Sequence, residues 1–295
     1  MCEKLLDDIL PVWGICTYES GCYIAAAFPY RLPEEFYAAR NVSRYAVVRD
    51  YHAVCGARLE RACGRLRASF PGKAFEWRCD NSSLPEVALA EGAGLGHRGR
   101  HNLLITPAYG SWVFLGVIAV EDQLELLGST RRADGAPYRA CCAGTARGRE
   151  MYHSGSGENS TAPGRIREAE PVGRGLAPPC TTCPGYCVAA CPTGALGPSG
   201  FDKTRCVSYI SQRRGDLSPE EARLLRQTGT AWGCDICQEA CPQNQSGKID
   251  PLPEFLTDPV AHVTGETPLE GRAFAWRGRG VIRRNIAVLE GASHG

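Results

Sequence analysis

The hydrophobic positions of the first 127 residues alternate between strand-like runs and helix-like spacing. The apolar run at 22–28 predicts a buried strand. Between Tyr45 and Phe70, apolar residues recur every three to five positions, which predicts a helix with one buried face that ends at Pro71–Gly72. The same reasoning predicts a helix at 84–91 and strands at 73–78, 103–106 and 111–120. Helices alternating with apolar strands predict an α/β domain over residues 1–127, covered on both faces of its sheet.

Residues 128–179 lack this periodicity. Gly, Ser, Arg, Pro and Thr dominate the segment, and a loop of this length inside a compact domain is typically a linker, a lid or a disordered segment. We therefore predict a disordered surface insertion or linker. Cys141 and Cys142 are adjacent inside it, where incidental thiols are a better interpretation than a redox pair.

The rest of the chain divides into a cysteine-rich segment, 180–250, and a short tail, 251–295. A proline in its first turn supports a helix at 218–227, and apolar residues on one side support a basic helix at about 280–290. Five arginines and no acidic residue occur within 272–284. They indicate either a phosphate-binding face or the solvated flank of a helix, and the pattern does not separate the two.

The composition is that of an ordinary globular protein, with 295 residues, 43% apolar content and a formal net charge of +1. That charge favours neither a nucleic acid nor an acidic partner. Sixteen cysteines are many, but disulfide-rich secreted scaffolds are short, and the chain opens without the features of a signal peptide. We therefore predict a cytoplasmic protein. We predict no membrane span, because no stretch approaches the roughly 18 consecutive apolar residues that one requires.

Eight cysteines between residues 180 and 241 have the spacing of a chain that binds two 4Fe-4S clusters. The first group, CTTCPGYCVAACP, begins at Cys180, the second, CDICQEACP, begins at Cys234, and Cys206 lies between them. A cysteine just before proline cannot reach the cluster of its neighbours, so it ligates the other cluster. The predicted ligand sets are Cys180, Cys183, Cys187 and Cys241 for the first cluster, and Cys191, Cys206, Cys234 and Cys237 for the second.

Zinc and disulfides are the alternatives for these cysteines. A four-cysteine zinc site also uses CxxC pairs, but it has no need of the proline after each group. The first group has Pro184, Gly185 and Tyr186 between its second and third cysteines, where the bacterial ferredoxin run has two residues. Because Pro-Gly favours a turn, the extra residue can bulge outward without moving the sulfur atoms.

Motifs in both halves together resemble the epoxyqueuosine reductase family, the cobalamin-dependent, two-cluster reductases of queuosine biosynthesis. The likeness covers most of the chain, and the combination is far more specific than any single motif. In chain order the motifs are RDYH at 49–52, Asp80, AGLG at 93–96, LLI at 103–105, YGSWVFLG at 109–116, CPTGA at 191–195 and WGCDICQ at 232–238.

The resemblance implies a corrinoid bound between the α/β domain and a ferredoxin-like double-cluster domain. Electrons pass from the clusters to cobalt, which reduces the epoxide of a tRNA nucleoside to an alkene. Asp80 matches the family's proton donor, although from the residues alone it is more simply a helix cap, with Glu86 near the cap. The residues implied in cofactor binding are Tyr51, His52, Gly94, Gly96, Arg100, Ser111 and Trp112. We further expect a monomer that receives electrons from a donor of the ferredoxin or flavodoxin type.

Three features depart from the family pattern. His97 and Arg100 replace an aromatic residue and a lysine in the glycine turn, residues 128–179 replace a short linker, and we expect the tail to lack the helical-repeat extension that grips tRNA. The glycines at 92–99 themselves fit a phosphate-binding loop and a plain turn about equally. Since phosphate contacts supply much of nucleic-acid affinity, the substrate is tRNA, the free nucleoside or another small molecule.

Two functions other than a reductase stay open at this point. The first is a 4Fe-4S electron-transfer protein that serves a partner or the partner's corrinoid. The second is an RNA-binding module that uses the terminal arginines. Neither needs Asp80 to act as an acid.

Overall fold

The computed structural model describes residues 2–80, 82–120, 179–197 and 200–291. Cys141, Cys142 and nearly all of the predicted insertion at 128–179 lie outside these ranges, so the statements about them stay predictions. None of the described helices is both long enough and apolar enough to cross a membrane.

An antiparallel sheet is the frame of the N-terminal domain. The strands of this domain are β1 (Val12–Tyr18), β2 (Gly21–Pro29), β3 (Phe75–Arg78), β4 (His97–Arg98), β5 (Leu104–Ile105) and β6 (Val113–Val120). Four of them pair in the order β1-β2-β6-β3, and β4 pairs with β5. The strands predicted at 22–28, 73–78, 103–106 and 111–120 are present with small shifts of their ends. β1 is not predicted, because Gly14 and Thr17 interrupt its apolar run.

Helices cover both faces of the sheet, as predicted. The helices of this domain are α1 (Cys2–Leu6), α2 (Arg44–Val47), α3 (Tyr51–Ser69) and α4 (Glu86–Gly92). Alternate residues of a strand point to opposite faces, so β2 supplies both apolar layers. Its residues at 24, 26 and 28 belong to the core with α3, and those at 25 and 27 belong to the core with α4.

The helix predicted from Tyr45 to Phe70 is broken into α2 and α3. Val48 is extended, with ψ of 170°, and Asp50 begins α3 by accepting a hydrogen bond from the His52 N–H at 3.0 Å. The Asp50 N–H donates to Gly271 O at 2.8 Å. A backbone contact with the distant tail therefore breaks the helix, although the apolar spacing of the sequence continues across the break.

Short helices and one short hairpin form the cysteine-rich segment. They are α5 (Pro179–Thr182), α6 (Tyr186–Ala190), β7 (Leu196–Gly197), β8 (Gly200–Phe201), α7 (Val207–Gln212), α8 (Pro219–Thr228), α9 (Ile236–Glu239) and α10 (Pro242–Gln245). The helix predicted at 218–227 is α8. It begins with a capping box, in which Ser218 Oγ accepts the Glu221 N–H at 3.2 Å and Glu221 Oε2 accepts the Ser218 N–H at 2.7 Å. Turns of 3-10 helix occupy Glu34–Tyr37, Lys203–Arg205, Pro253–Leu256 and Ala275–Arg277.

Two buried residues fasten this segment to the N-terminal domain. Asn244 donates from Nδ2 to Ser111 Oγ at 2.8 Å and accepts the Ser111 N–H on Oδ1 at 2.6 Å. Trp232 is fully buried, and its Nε1 donates to Tyr45 OH at 2.8 Å. These bonds hold the second cysteine group against the sheet-bearing domain.

The tail ends in helix α11 (Arg279–Leu289), close to the helix predicted at 280–290. Asn285 is fully buried on this helix. Its Nδ2 donates to Ser211 O and to Ala231 O, both at 2.7 Å. The tail is therefore packed onto the cysteine-rich segment.

Four of the five arginines within 272–284 donate to oxygen atoms of the chain itself. Arg272 donates to Asp258, Arg279 to the carbonyls of Gly265 and Thr267, Arg283 to Glu266, and Arg284 to the carbonyls of Arg213 and Gly215. Arg277 instead lies over the Trp276 ring, 3.7 Å from its centroid. This stretch therefore holds the tail in place and matches the helix-flank interpretation better than an open phosphate-binding face.

Candidate functional site

Four cysteines from the two sequence groups surround one cavity. Cys180, Cys183 and Cys187 line it from the first group, and Cys241 lines it from the start of α10. The cavity has a volume of about 100 Å³. These are the four residues whose spacing predicts a shared first cluster, because the cysteine before Pro242 lies with the other group.

The remaining four predicted ligands also lie near one another. Burial raises the pKa of the Cys234 thiol to about 12, and the proximity of Cys206 and Cys191 acts in the same direction. Burial also raises the pKa of the Cys237 thiol, and Cys234 and Cys206 add to the effect. A buried thiol becomes a thiolate only beside positive charge, which bound iron supplies.

The geometry disfavours the two alternatives for these residues. The described cysteines are free thiols, so disulfides do not account for their spacing. Among the residues that the structure describes, no three His, Cys, Asp or Glu side chains converge as the ligands of a single ion do. Four cysteines that line a cavity of about 100 Å³ fit the ligand set of a polynuclear cluster.

The extra residue of the first cysteine group lies in a turn. Gly185 has a φ of 89°, which favours glycine, and its N–H donates to Cys183 Sγ at 3.4 Å. The backbone N–H groups of Gly185 and Tyr186 lower the pKa of the Cys183 thiol. The turn therefore absorbs the surplus residue and leaves Cys187 on the cavity wall.

Asp80 forms a second constellation on the N-terminal domain with Tyr51 and His52. Tyr51 donates its phenolic hydrogen to Asp80 Oδ2, and His52 Nε2 lies 3.9 Å from the same oxygen. The Tyr51 ring stacks between His52 at 4.1 Å and Phe114 at 4.2 Å. The Asp80 side chain is 66% exposed and its backbone has a φ of 56°. Residues in this sparsely populated region cluster at functional sites.

The helix-cap interpretation of Asp80 is wrong. The residue at the cap position of α4 is Pro85, and no side chain caps the helix. The Asp80 backbone is instead held by Glu86, because the Asp80 N–H donates to Glu86 Oε1 at 2.8 Å. Burial raises the pKa of the Glu86 carboxyl to about 7, and the hydrogen bond from Asp80 opposes this. His52 is anchored by Asp50 at 2.8 Å, a bond that raises the pKa of His52.

Ser111 and Trp112, two residues predicted to bind cofactor, serve the junction between the two halves. Both are buried, and the Trp112 Nε1 donates to the Asn244 carbonyl at 3.3 Å. Ser111 Oγ donates to Gln238 Oε1 at 3.0 Å. The structure therefore gives each of them a structural partner in the cysteine-rich segment.

The glycine turn before β5 lies beside the first cysteine cavity. Gly94 has a φ of 77°, and a Cβ on Gly96 would lie 2.1 Å from Ile105 O, so both positions need glycine for conformation or packing. Arg100 follows the turn and lines the cavity with the four cysteines. Arg100, which is predicted to bind cofactor, thus lies next to the cysteines that are predicted to hold the first cluster.

Two family models match the chain. A 4Fe-4S double cluster binding domain matches residues 179–244, and a model described as epoxyqueuosine reductase QueG, DUF1730, matches residues 19–80. The curated epoxyqueuosine reductase of Gloeobacter violaceus is 31% identical over 272 residues, which are 86% of this chain and 70% of that protein. The chain belongs to the epoxyqueuosine reductase family.

Solved epoxyqueuosine reductases share its fold. The structure from Streptococcus thermophilus has a TM-score of 0.60 at 24% identity, over 91% of this chain and 63% of that one. An epoxyqueuosine reductase with an epoxyqueuosine-modified tRNA-Tyr stem loop has a TM-score of 0.64 at 23% identity, over 92% and 64%. The curated relative from Listeria monocytogenes is 28% identical over 90% of this chain and 62% of its own length. The chain thus spans less than two thirds of these three epoxyqueuosine reductases.

Two residues beside the predicted sites have no sequence motif that marks their role. Glu86 holds the Asp80 backbone, and its position six residues downstream was expected to serve a helix cap. His101 lines the cysteine cavity with Arg100. In the sequence its place at the end of the glycine turn indicates only a candidate phosphate contact, not a position beside the cysteines.

Proposed function

We propose that this protein is a reductase with two 4Fe-4S clusters and a corrinoid, which converts the epoxide of epoxyqueuosine to the alkene of queuosine. The observation that carries the proposal is the meeting of Cys180, Cys183 and Cys187 with the distant Cys241 around one cavity. Membership of the epoxyqueuosine reductase family supports the reaction type.

The cysteines fit the clusters that the proposal requires. The set Cys180, Cys183, Cys187 and Cys241 is the proposed ligand set of the first cluster, and Cys191, Cys206, Cys234 and Cys237 form that of the second. Cys237 and Cys187 interact electrostatically across the two sets, so the clusters would be neighbours. We propose 1–127 as the corrinoid-binding domain, 128–179 as an insertion, 180–250 as the cluster domain and 251–295 as the tail.

Tyr51, His52 and Asp80 are proposed to face the corrinoid and the substrate. The outer face of the His52 ring, whose inner face stacks on Tyr51, lies beside the exposed Asp80 carboxylate and would offer a planar group one ring face and one polar contact. A bound corrinoid would supply low-valent cobalt as the reductant. The reaction takes up two electrons and two protons, and the epoxide oxygen leaves as water. The chain would supply a proton to that departing oxygen from Asp80 Oδ1, while the hydrogen bond from Tyr51 to Oδ2 fixes the carboxyl group.

The substrate is proposed from the relatives. One solved epoxyqueuosine reductase contains an epoxyqueuosine-modified tRNA-Tyr stem loop, and we propose the same class of substrate here, with the free nucleoside as the smaller alternative. The proposal includes a cytoplasmic monomer that receives electrons from a donor of the ferredoxin or flavodoxin type.

The test is an anaerobic assay of the purified protein. It should contain about eight iron atoms, bind one cobalamin and, once reduced, convert an epoxyqueuosine-containing stem loop or nucleoside to queuosine, read by mass spectrometry. Iron without any cobalamin binding or alkene product would leave only the electron-transfer function. Zinc, or no metal at all, would remove both.

A further inference from the structure

His101 is a buried imidazole whose outer nitrogen has no partner in the protein. Its side chain lines the first cysteine cavity, and the residue is only 5% exposed. Its Nδ1 accepts the Leu103 N–H at 3.3 Å, while its Nε2 is buried without a hydrogen bond to any described residue. A buried polar group without a partner loses its hydration and gains nothing in return, which destabilises the fold. A hydrogen-bond partner for His101 Nε2 would therefore have to come from a group bound in the cavity.

The bond from Leu103 favours one position for the imidazole hydrogen. A nitrogen that accepts a hydrogen bond has no hydrogen of its own, so the hydrogen of His101 is on Nε2. His101 therefore has a donor, and not an acceptor, to offer the cavity that it lines. Cluster sulfides and cysteine thiolates are acceptors of such bonds.

The glycine turn is built to hold this ring. A Cβ on Gly99 would lie 2.8 Å from His101 Cε1, so a larger residue would displace the imidazole. The Gly99 N–H donates to Leu103 O at 2.8 Å, and Asn102 has a φ of 64°. This tight loop fixes the His101 ring between the glycine turn and β5. The need to leave space for that ring explains Gly99 without a bound phosphate.

Arg100 adds a positive charge on the solvent side of the same cavity. Its Nη1 lies 3.0 Å from the point where a Cβ on Gly185 would be, directly beside the turn that follows Cys183. It makes no ion pair with any residue that the structure describes. A guanidinium over thiolate ligands would find its counter-charge in the cluster itself.

We propose that His101 Nε2–H and the Arg100 guanidinium donate hydrogen bonds to sulfur atoms of the first cluster and raise its reduction potential. The inference rests on the proposed binding of that cluster by Cys180, Cys183, Cys187 and Cys241. Reduction adds an electron that spreads onto the sulfur atoms, so hydrogen-bond donors stabilise the reduced cluster more than the oxidised one. Neither donor is proposed to bond to the second cluster, so the potential of the second cluster should not depend on them.

The experiment compares reduction potentials in the anaerobically reconstituted full chain, by redox titration followed by electron paramagnetic resonance. His101→Phe keeps an aromatic ring and removes the donor, and Arg100→Met keeps a long side chain and removes the charge. Each should lower the potential of one cluster and leave that of the other unchanged. His101→Gln and Arg100→Lys, which retain a donor, should recover part of the loss.

His97→Phe is the matched control, because His97 Nε2 is also buried without a partner but does not line the cavity. Unchanged potentials in His101→Phe and Arg100→Met at full iron content would overturn the inference and leave the proposed function intact. A wild-type protein that binds no iron would remove both. Arg100 is exposed, so Arg100→Met decides the question even if His101→Phe does not fold.

Discussion

The two halves of the molecule are stabilised by different means. The N-terminal domain buries apolar residues on both faces of a four-stranded sheet. The cysteine-rich segment consists of helices of four to ten residues, and isolated helices of that length are marginal in water. Its separate apolar cluster is shared with the tail, and among the described residues its buried members are Ile210, Leu225 and, from α11, Val288. We therefore expect the second half to depend for its stability on the proposed clusters and on its contacts with the first half.

The candidate sites differ in the same way. The second proposed ligand set contains Cys234 and Cys237, whose buried thiols are costly to ionise, so we expect it to become a stable site only when its proposed cluster is bound. Asp80, Tyr51 and His52 lie on the edge of a sheet and a long helix, and protein contacts alone hold them. One site should collapse when iron is removed, and the other should persist.

Removal of iron should produce the largest effect. In the Cys237→Ser variant, or after anaerobic chelation, we expect backbone amides of α7 and α9 to exchange with solvent at least ~100-fold faster, because local opening there is no longer opposed by metal binding. Amides of β2 and β6 should keep their rates. Hydrogen exchange with mass spectrometry measures both regions in one sample, with the Cys63→Ser variant, a buried cysteine outside the clusters, as the control. Equal acceleration in both halves would contradict the comparison.

Substitution of Asp80 should abolish chemistry and leave the fold unchanged. Asp80→Asn keeps an oxygen that accepts the Tyr51 hydrogen and tolerates the φ of 56°, but it cannot donate an acidic proton. We expect turnover to fall at least ~100-fold, with iron content and cobalamin binding unchanged. Glu76→Gln, which changes an equally exposed carboxyl on β3, just before Asp80 in the chain, is the control. If Asp80→Asn retained full turnover, the proton would have to come from another group.

Loss of Asn244 should separate the halves without disturbing either site directly. Asn244→Ala leaves the buried Ser111 N–H without a partner and removes one of the hydrogen bonds of the Ser111 hydroxyl and of the Gln238 carbonyl, which should lower the free energy of unfolding by ~3 kcal/mol. Denaturant unfolding of the iron-loaded protein measures the loss. The neighbouring Gln245→Ala, at an exposed position, should cost under ~0.5 kcal/mol. Equal losses in the two variants would show that the junction is held by other contacts.

The parts of the molecule that sequence predicts well are those set by local spacing. The apolar runs place β2 and β6, the proline and acid pattern places α8, and the cysteine intervals indicate which residues meet around the cavity. For the two strands and α8 the signal lies within a few residues of its effect, so local physics suffices. For Cys241 the spacing before Pro242 assigns the residue to the distant first group, because a cluster needs four ligands.

The parts that sequence misses are set by contacts between distant segments. The break before α3 depends on Gly271, more than two hundred residues away. In the sequence, the arginines of the tail resemble a phosphate-binding run. In the structure, their hydrogen bonds go to acceptors of the chain itself. Glu86 and His101 matter because of the groups they face, and no residue pattern records which groups those are.

The smallest expected effect is the part of the pH dependence of stability that Glu86, in the N-terminal half, contributes. Burial raises the pKa of Glu86 from 4.5 to about 7, so between these values the folded state keeps a proton that the unfolded chain has released. The free energy of unfolding contributed by this group is therefore fully present below pH 4.5 and is lost as pH rises to about 7.

Glu86→Gln should remove a dependence of up to ~2 kcal/mol between pH 5 and pH 8, measured by urea unfolding at both values against wild type and against Glu76→Gln. Because Glu86 accepts the Asp80 N–H, its charge also bears on the loop that presents the proton donor. The amide in the Glu86→Gln variant still offers an oxygen to that N–H, so turnover at pH 5 should change less than the pH dependence of stability does. An unaltered pH dependence in this variant would mean that the carboxyl is solvated and that Asp80 is held by Tyr51 alone.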